Sequence, residues 1–472
     1  MNSPDMIENR TFDEIAVGDT ASVIRTLREE DIQLFALVSG DVNPAHLDAD
    51  YAATDIFHRV IAHGMWGGGL ISAVLGTELP GPGAIYLSQS LRFTRPVGLG
   101  DTITTTVTVT EKRPEHHVLL LDCRCVNQDG AEVITGQAEV KAPTEKVRLP
   151  RIALPDIRIS DHDGYRKLIE LTRECTPAPT AVAHPCSAAA IVAAVDAGEA
   201  GLIVPILVGP EARIRAAAED AGKDISAYRI VPAPHSHAAA AAAVALVRSG
   251  EAGLLMKGSL HTDELMAAVV SSTTGLRTER RISHAYLMDV PDHPTPLIIT
   301  DAAINIEPSL GEKADIIRNA IDLAHVIGIE VPKVAILSAV ETVNPSIRST
   351  IDAAALCKMA DRGQITGGVL DGPLAFDNAI SEAAAKEKGI FSPVAGKAEI
   401  LVVPNLEAGN MLAKQLTFLG GADAAGVVLG ARVPIILTSR ADSQRTRLAS
   451  CAVAVLLVRA ATKAAPGLQG TG

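Results

Sequence analysis

The most informative feature of this chain is Ser39-Gly40-Asp41-Val42-Asn43-Pro44-Ala45-His46, followed by Ile61-Ala62-His63-Gly64-Met65. Its first segment places a carboxylate, Asp41, and an imidazole, His46, five positions apart on a turn that contains proline. Its second segment is a glycine-containing turn that leads into an apolar helix of small residues. Acid/base catalysis needs two titratable groups near one reacting atom and amide donors for the oxygen that gains charge. These segments can supply both, although Asp41 could instead cap a helix and His46 could be structural.

A period of two between residues 85 and 142 predicts antiparallel strands around that helix. Thr102, Thr104, Thr106, Thr108 and Thr110 fall on one face of the first clear strand, and Ile103, Val107 and Val109 fall on the other. The later pair Asp129-Gly130 is typical of a hairpin turn. Gly67-Gly-Gly69 is expected inside the helix, where small residues let the sheet wrap closely, and not in a phosphate loop. We therefore predict an α+β domain.

Residues 10–142 resemble the MaoC-like (R)-specific enoyl-CoA hydratases. The resemblance continues through Leu79-Pro-Gly-Pro-Gly-Ala-Ile-Tyr-Leu-Ser-Gln-Ser-Leu-Arg-Phe-Thr-Arg-Pro-Val97, Gly100-Asp101-Thr102 and Asn127-Gln-Asp-Gly130. It implies a hot-dog fold in which Asp41 and His46 are the catalytic pair and the backbone N–H of Gly64 forms the oxyanion hole. By the same resemblance, Asn43 and Ser72 would line the substrate site. The sequence departs from the family at Phe57-His58-Arg59, where a small residue is expected after the phenylalanine, so the shape of the acyl pocket stays open.

Length and composition limit the possible classes of protein. A chain of 472 residues with 47% hydrophobic but only 3% aromatic residues predicts two or three Ala-rich domains. The net charge of −13 argues against nucleic acids and anionic membranes as partners. We predict a cytoplasmic protein from three observations. The six cysteines form no C-x-x-C pair, the N-terminus has no apolar leader, and the chain has no long apolar run. His235-Ser-His237 has no evident metal partners, and we predict neither a metal site nor a bound cofactor.

A change of composition marks the end of the first domain. Pro143, Pro150 and Pro155 are interspersed with basic residues, so we assign residues 1–142 to the hot-dog domain, 143–160 to a linker and 161–472 to a second domain. In the second domain, short apolar runs alternate with Ala-rich helical runs, which indicates parallel sheets in an α/β domain. The strand candidates are Leu202–Val208, Gly253–Met256, Pro296–Thr300, Val334–Leu337, Gly368–Leu370, Ile400–Val403, Gly426–Leu429 and Val433–Thr438.

The last of these runs leads into Thr438-Ser439-Arg440-Ala441-Asp442. Ligands of parallel sheets bind beyond the carboxyl ends of strands, where a helix N-terminus attracts anions and an arginine can hold phosphate in a fork. A helix cap with a surface ion pair remains an alternative for this segment. Asp301 and Asn305, just after another strand, could face substrate or form a turn.

Residues 160–460 resemble the phosphate acetyl/butyryl transferase family. The matching strings are Leu255-Met-Lys257-Gly258-Ser259, Arg281-Ile-Ser283-His284, Ile299-Thr-Asp301-Ala-Ala-Ile-Asn305, Asp371-Gly-Pro-Leu-Ala-Phe-Asp377, Pro404-Asn-Leu-Glu-Ala-Gly-Asn410 and Thr438-Ser-Arg-Ala-Asp442. The resemblance implies two α/β subdomains with a site between them, where CoA thiolate attacks an acyl phosphate. Ser439 would bind the CoA sulfur and Arg440 the phosphoryl group. Lys257 and Asp442 would also contact substrate.

The acetyl-specific enzymes carry a catalytic Asp where this chain has Thr446, and Ser-Arg-Ala-Asp is the butyryl-type pattern, so a longer acyl group is favoured and the base stays open. Three readings follow for the whole chain. It is a bifunctional hydratase and acyltransferase, an acyltransferase whose hot-dog domain only binds acyl-CoA or drives oligomerisation, or an acyl-CoA sensor. Because both sets of site residues are present, we favour the bifunctional reading. Coenzyme A thioesters and phosphate are then substrates, and a homo-oligomer is expected.

Overall fold

The computed structural model describes residues 6–152, 154, 157, 163–291, 293–437 and 442–464. Its contacts divide the chain into two compact units, Met1–Ile159 and Ser160–Gly472. Within the described residues, no helix has the length and apolar character needed to cross a bilayer.

The described residues of the first unit form four α-helices, five strands in a main sheet and a two-stranded ribbon. In chain order the elements are β1 Met6–Glu8, β2 Thr20–Thr26, α1 Glu29–Ser39, α2 Pro44–Leu47, α3 Ala49–Thr54, α4 Gly64–Thr77, β3 Ile85–Phe93, β4 Thr102–Arg113, β5 Val118–Val126, β6 Glu132–Lys141 and β7 Arg148–Pro150. Strands β2-β4-β5-β6-β3 form an antiparallel sheet in that order. The α+β hot-dog architecture predicted for this part is confirmed.

Helix α4 is the centre of this unit because small residues bring it close to the sheet. Gly67 and Gly68 are buried, and a Cβ added at Gly67 would lie 2.2 Å from Ile134 Cδ1. The predicted alternation of β4 is also present, since Ile103, Val107 and Val109 are buried and the threonines opposite them are more exposed. The side chains of these three apolar residues pack with Ile71 and Val74 of α4 in one apolar core.

Part of the segment predicted as a linker is folded. Strand β7 pairs with β1 in an antiparallel ribbon, with Ile7 opposite Leu149. Buried Asn9 fixes this ribbon, since its side-chain nitrogen donates to the carbonyl oxygens of Pro82 and Glu145 at 3.0 and 2.8 Å. The main chain therefore stays with the first unit beyond residue 142.

The second unit alternates strands and helices as the sequence indicates. Its elements are α5 Asp163–Thr172, β8 Ala178–Ala183, α6 Ala188–Glu199, β9 Ile203–Gly209, α7 Glu211–Asp220, β10 Arg229–Pro232, α8 Ser236–Arg248, β11 Leu254–Lys257, α9 Thr262–Val270, β12 Ser283–Asp289, β13 Leu297–Thr300, α10 Leu310–Val326, β14 Lys333–Leu337, α11 Arg348–Asp361, β15 Val369–Leu374, α12 Phe376–Ile380, α13 Glu382–Glu387, β16 Ile400–Val402, α14 Leu406–Phe418, β17 Asp423–Leu429, β18 Ile435–Ile436 and α15 Gln444–Ala464. Each of the eight predicted strands corresponds to one of these. Strands β8, β10 and β12 were not predicted.

The eleven strands described in this unit form one sheet, in the order β10-β9-β8-β11-β18-β17-β12-β13-β16-β14-β15. The five strands from β10 to β18 are mutually parallel, and so are the four from β13 to β15. Between them, β17 and β12 run antiparallel to their neighbours. The predicted parallel regions are therefore confirmed, and two antiparallel strands join them into a continuous sheet.

Candidate active sites

Two loops of the first unit meet where the sequence placed the acid/base pair. Helix α1 ends at Gly40, which adopts a left-handed φ of +74°. The chain then turns, with the Asn43 N–H donating to Asp41 Oδ1 at 3.2 Å. Asn43 Oδ1 in turn accepts from the Ala45 N–H at 3.1 Å and caps α2. The oxygen of Asn43, predicted to contact substrate, is thus used to start a helix, and Asp41 keeps an exposed carboxylate.

The hydrogen bonds of the two histidines define which ring nitrogens carry protons. His46 Nδ1 lies 2.9 Å from the Ile61 carbonyl oxygen, and His63 Nε2 lies 3.0 Å from the Asp41 carbonyl oxygen. Because a carbonyl oxygen only accepts, these two nitrogens are the donors. The opposite nitrogens, Nε2 of His46 and Nδ1 of His63, therefore carry lone pairs in the neutral rings.

The three side chains form one cluster. The His46 and His63 ring centroids are 4.0 Å apart, and Phe35 packs on the other side of His63 at 4.9 Å. One carboxylate oxygen of Asp41 and one nitrogen of each histidine all lie within 4.8 Å of one another. His63 is only 2% exposed, and within the described part of the chain its Nδ1 has no hydrogen-bond partner. From the sequence, His63 was expected only as part of a turn, because its contact with His46 depends on how the two loops fold.

A cavity of about 290 Å³ opens beside this cluster and is mainly apolar. Its lining residues are His46, Phe57, Ile61, Ala62, His63, Gly64, Trp66, Gly67, Phe93, Thr94, Arg95, Pro96, Val97 and Ile134. Gly64 is the first residue of α4, so its N–H belongs to the first turn, where backbone donors lack a partner within the helix. A Cβ at Gly64 would lie 3.1 Å from the Phe93 ring, which shows how closely this ring approaches the helix start.

The remaining predicted residues of this unit lie further out. Ser72 is exposed on α4 and is not among the residues that line the cavity. His58, at the position where a small residue was expected, adopts a left-handed φ of +55°, a conformation that glycine adopts without strain. Its neighbour Arg59 lies 3.5 Å from a carboxylate oxygen of Asp101. The departure from the family pattern therefore falls on a strained turn near Phe57.

In the second unit, the carboxyl ends of three neighbouring parallel strands lie at one edge of the sheet. Lys257 at the end of β11 is opposite Ala183 of β8, and Met256 is opposite Ile436 of β18. The segment after β18 contains the predicted Ser439 and Arg440, which lie outside the described residues. Lys257, half-buried, is placed at this edge as the sequence indicated. Edges of this kind are where parallel sheets bind ligands.

A histidine that the sequence analysis missed lies at the same edge. His184 directly follows β8, is 7% exposed and adopts a φ of +55°. Its carbonyl oxygen accepts the Ser259 N–H at 2.9 Å, which joins it to the loop after β11. Burial lowers the pKa of His184, and the charge of Arg213 lowers it further. The imidazole is therefore neutral at pH 7, and its Nδ1 has no hydrogen-bond partner among the residues that the structure describes.

Asp301 and Asn305, which follow strand β13, form a local turn. The buried Asp301 carboxylate accepts the N–H groups of Ala303 and Ile304 at 2.9 and 3.0 Å and also binds Asn305. Burial raises the pKa of Asp301, whereas these hydrogen bonds act in the opposite direction. The turn alternative for Asp301 is thus the one observed.

At the start of α15, the Thr446 N–H donates to Ser443 Oγ at 3.1 Å, so Thr446 lies in the helix-capping turn. Asp442 is half-buried and close enough to Tyr286 for its charge to raise the pKa of that phenol, after the larger effect of burial. Asp442 is therefore placed beside β12.

Comparison with known proteins agrees with this division of the chain. Residues 235–455 match the family described as phosphate acetyl/butaryl transferase, and residues 16–119 match the MaoC like domain. A phosphate acetyltransferase from Rhizobium meliloti is 68% identical over 292 residues, which cover 62% of this chain and 92% of the relative.

Two solved structures are also similar. A branched-chain phosphotransacylase from Enterococcus faecalis is 29% identical with a TM-score of 0.53, covering 60% of this chain and 99% of its own. An R-hydratase from Pseudomonas aeruginosa, solved in the unliganded form, is 49% identical with a TM-score of 0.32. This similarity covers 33% of the present chain and 99% of the hydratase.

Proposed function

Since the chain belongs to the phosphate acetyl/butyryl transferase family, and is thus a phosphate acyltransferase, we propose that it carries two acyl-CoA activities. The first unit hydrates trans-2-enoyl-CoA to (R)-3-hydroxyacyl-CoA. The second unit transfers an acyl group reversibly between CoA and phosphate. Both activities use coenzyme A thioesters, which gives the two units a common class of substrate.

The observation that carries the hydratase proposal is the orientation of His46. Its Nδ1–H is held by the Ile61 carbonyl, so Nε2 is left as a base on the wall of an apolar cavity. The exposed Asp41 carboxylate lies in the same cluster. A base must lie within hydrogen-bond reach of the proton that it removes, and a ring fixed through its other nitrogen satisfies this condition well.

The proposed reaction follows from these groups. Asp41 and His46 bind a water molecule and take one proton from it as its oxygen forms a bond to C3 of the enoyl group. The electron pair of the double bond moves toward the thioester, whose oxygen gains negative charge and is stabilised by the Gly64 N–H. The proton held by the pair is then delivered to C2, so that one water has been added and the enzyme is unchanged.

In the second unit, the proposed site lies at the carboxyl ends of the parallel strands β8, β11 and β18, where Lys257 is placed. Arg440 would hold the phosphoryl group in a bidentate contact, and Ser439 would bind the CoA sulfur. The thiolate attacks the acyl carbon, the bond from carbon to phosphate oxygen breaks, and phosphate leaves. Proximity of the two reactants supplies much of the rate in such a transfer. Lys257 and Asp442 are proposed to contact substrate, and neither is assigned as the base.

Acyl-chain length is a finer part of the proposal. The relative that is 68% identical is described as an acetyltransferase, whereas Ser-Arg-Ala-Asp in this chain favours a longer acyl group. Rates of phosphate-dependent CoA release from acetyl-, butyryl- and 3-hydroxybutyryl-CoA would decide between them. We expect the butyryl thioester to be used at least as well as the acetyl thioester.

The main alternative is that the hot-dog unit only binds acyl-CoA or drives oligomerisation. Hydration of crotonyl-CoA by the full chain, followed through the loss of absorbance of the conjugated thioester, separates the two proposals. We expect hydration by the wild type and by Asp50→Ala, which removes another exposed carboxylate from helix α3. A full chain that releases CoA with phosphate but never hydrates crotonyl-CoA would favour the alternative.

A homo-oligomer is part of the same proposal. Strand β3 is at the edge of the five-stranded sheet and carries exposed apolar side chains at Ile85, Leu87 and Phe93. An exposed, apolar edge strand of nine residues is a surface that soluble proteins usually cover. Cytoplasmic location remains an expectation from the sequence.

A further inference from the structure

We propose that Asp41, His46 and His63 form a binding site for a divalent transition-metal ion, with Zn²⁺ as the fitting probe, and that metal binding blocks hydration. The site coincides with the acid/base pair, so its inhibitory effect rests on the proposed hydratase function. Metal binding itself does not rest on that function, because it depends only on the three side chains. No metal site was predicted from the sequence, since the histidines are seventeen positions apart and give no ligand-spacing motif.

The hydrogen bonds of both histidines are those of metal-ligand histidines. A ligand imidazole usually donates its second N–H to a carbonyl or carboxylate, which fixes the ring and directs the other nitrogen at the ion. His46 donates to the Ile61 carbonyl and His63 to the Asp41 carbonyl, at 2.9 and 3.0 Å. Both rings therefore offer a lone pair without any change of tautomer.

The lone pair of His63 needs a partner. Its Nδ1 has no hydrogen-bond partner among the described residues although His63 is only 2% exposed, and burying a polar atom without a partner is unfavourable. His63 also lines the cavity beside His46, so the cluster borders a space that can hold an ion. A hydrated cation that exchanges water for this nitrogen removes that cost.

The distances suit a small tetrahedral ion after a modest contraction. One carboxylate oxygen of Asp41 and one ring nitrogen of each histidine all lie within 4.8 Å of one another. Ligands about 2.0–2.1 Å from Zn²⁺ in a tetrahedron are roughly 3.4 Å apart. The exposed Asp41 carboxylate can move inward, whereas both rings are held in place. Two imidazoles and one carboxylate leave a fourth position for water, and imidazole ligands favour Zn²⁺ over Mg²⁺ or Ca²⁺.

Bound metal would remove the base from the reaction. The ion would occupy the lone pair of His46 Nε2 and an oxygen of Asp41, the two groups that are proposed to accept the proton of water. The expected effect is reversible inhibition, with hydration restored by a chelator. The rates of hydration in chelator and in zinc therefore report on the metal-free and the metal-bound state of the same site.

The test is equilibrium dialysis of the full chain, first stripped with a chelator, against zinc, with the bound metal counted by atomic emission. We expect one more tightly bound zinc in the wild type than in His63→Asn, and zinc binding at least about tenfold weaker in Asp41→Asn. His116→Asn, which removes an exposed histidine of the same unit, should bind zinc like the wild type. Circular dichroism checks that each variant is folded, and Asp41→Asn supplies the test if His63→Asn does not fold.

The outcomes separate metal binding from the hydratase proposal. Equal zinc stoichiometry and affinity in the wild type, His63→Asn and Asp41→Asn would overturn the site. Loss of one zinc in the variants, with wild-type hydration unaffected by saturating zinc, would overturn the inhibitory role alone. If the stripped wild type shows no hydration in chelator, the proposed function fails, and the zinc count still decides whether the site exists.

Discussion

His46 and His63 lie ring against ring with centroids 4.0 Å apart, and each donates a hydrogen bond to a backbone carbonyl of the two loops that form the site. His63 binds the carbonyl of Asp41, and His46 binds that of Ile61. The two imidazoles therefore fasten the loop after α1 to the loop before α4. The position of the Asp41 carboxylate relative to Gly64 depends on this arrangement.

The first prediction concerns the base itself. His46→Gln removes the Nε2 lone pair and should lower kcat for crotonyl-CoA hydration by about 10²–10⁴-fold, the usual contribution of a general base. His58→Gln, which changes a nearby exposed histidine, is the matched control and should retain hydration within a few-fold. Steady-state kinetics of both variants measure this. Similar kcat values for His46→Gln and wild type would exclude His46 as the base.

The second prediction compares two neighbouring glycines of α4. An added Cβ at Gly69 meets nothing within 4 Å, whereas one at Gly67 lies 2.2 Å from Ile134 Cδ1. Alanine favours a helix by about 1 kcal/mol over glycine, so Gly69→Ala should stabilise the first unit by about that amount. Gly67→Ala gains the same propensity but forces Ile134 to move, and overpacking typically costs about 1–3 kcal/mol.

Denaturant unfolding of both variants provides the measurement. We expect the order of stability Gly69→Ala, wild type, Gly67→Ala. Equal stabilisation by the two substitutions would show that α4 does not pack on the sheet as described.

The third prediction concerns the pH dependence of stability in the second unit. Burial lowers the pKa of His284 from 6.5 to about 4, so between these values the unfolded state binds more protons than the folded state. The free energy of unfolding therefore falls as the pH decreases from 6.5 to 4, and it does not depend on His284 above 6.5. The full shift corresponds to about 3 kcal/mol.

The variant His284→Gln isolates this effect. The nearby Asp301 has a raised pKa from burial and acts in the opposite direction, so the difference between wild type and variant is the informative quantity. Between pH 6.5 and 4, the free energy of unfolding should decrease less in His284→Gln than in the wild type. Urea unfolding at several pH values measures this difference. His237→Gln, which removes an exposed histidine, should follow the wild type, and parallel curves for all three proteins would contradict the prediction.

Several features were predictable from the sequence because they depend on local pattern. The alternation in residues 102–110 indicates β4, since apolar and polar side chains take opposite faces of a strand. The turn residues around Asp41 and Gly64 likewise located the cavity. These signals need no knowledge of distant contacts.

Other features depend on contacts that local pattern does not encode. Strand β8 reads Ala-Pro-Thr-Ala-Val-Ala and was missed because alanine and proline are rare in strands. Strand β12 contains a histidine and a tyrosine among mixed residues, yet its antiparallel pairing joins the two parallel regions. Missing β8 also meant missing His184, which follows it. The contact between His46 and His63 is likewise non-local, so the cluster with Asp41 became visible only in the folded chain.

If one chain carries two independent acyl-CoA sites, single substitutions should remove the two activities separately. The measurement is crotonyl-CoA hydration and phosphate-dependent CoA release from butyryl-CoA, in Asp41→Ala and in Arg440→Ala. Asp41→Ala should lose about 10²–10³-fold or more in hydration and keep CoA release, and Arg440→Ala should show the reverse. Wild-type hydration by Asp41→Ala, or loss of both activities from either single substitution in a folded protein, would contradict the account.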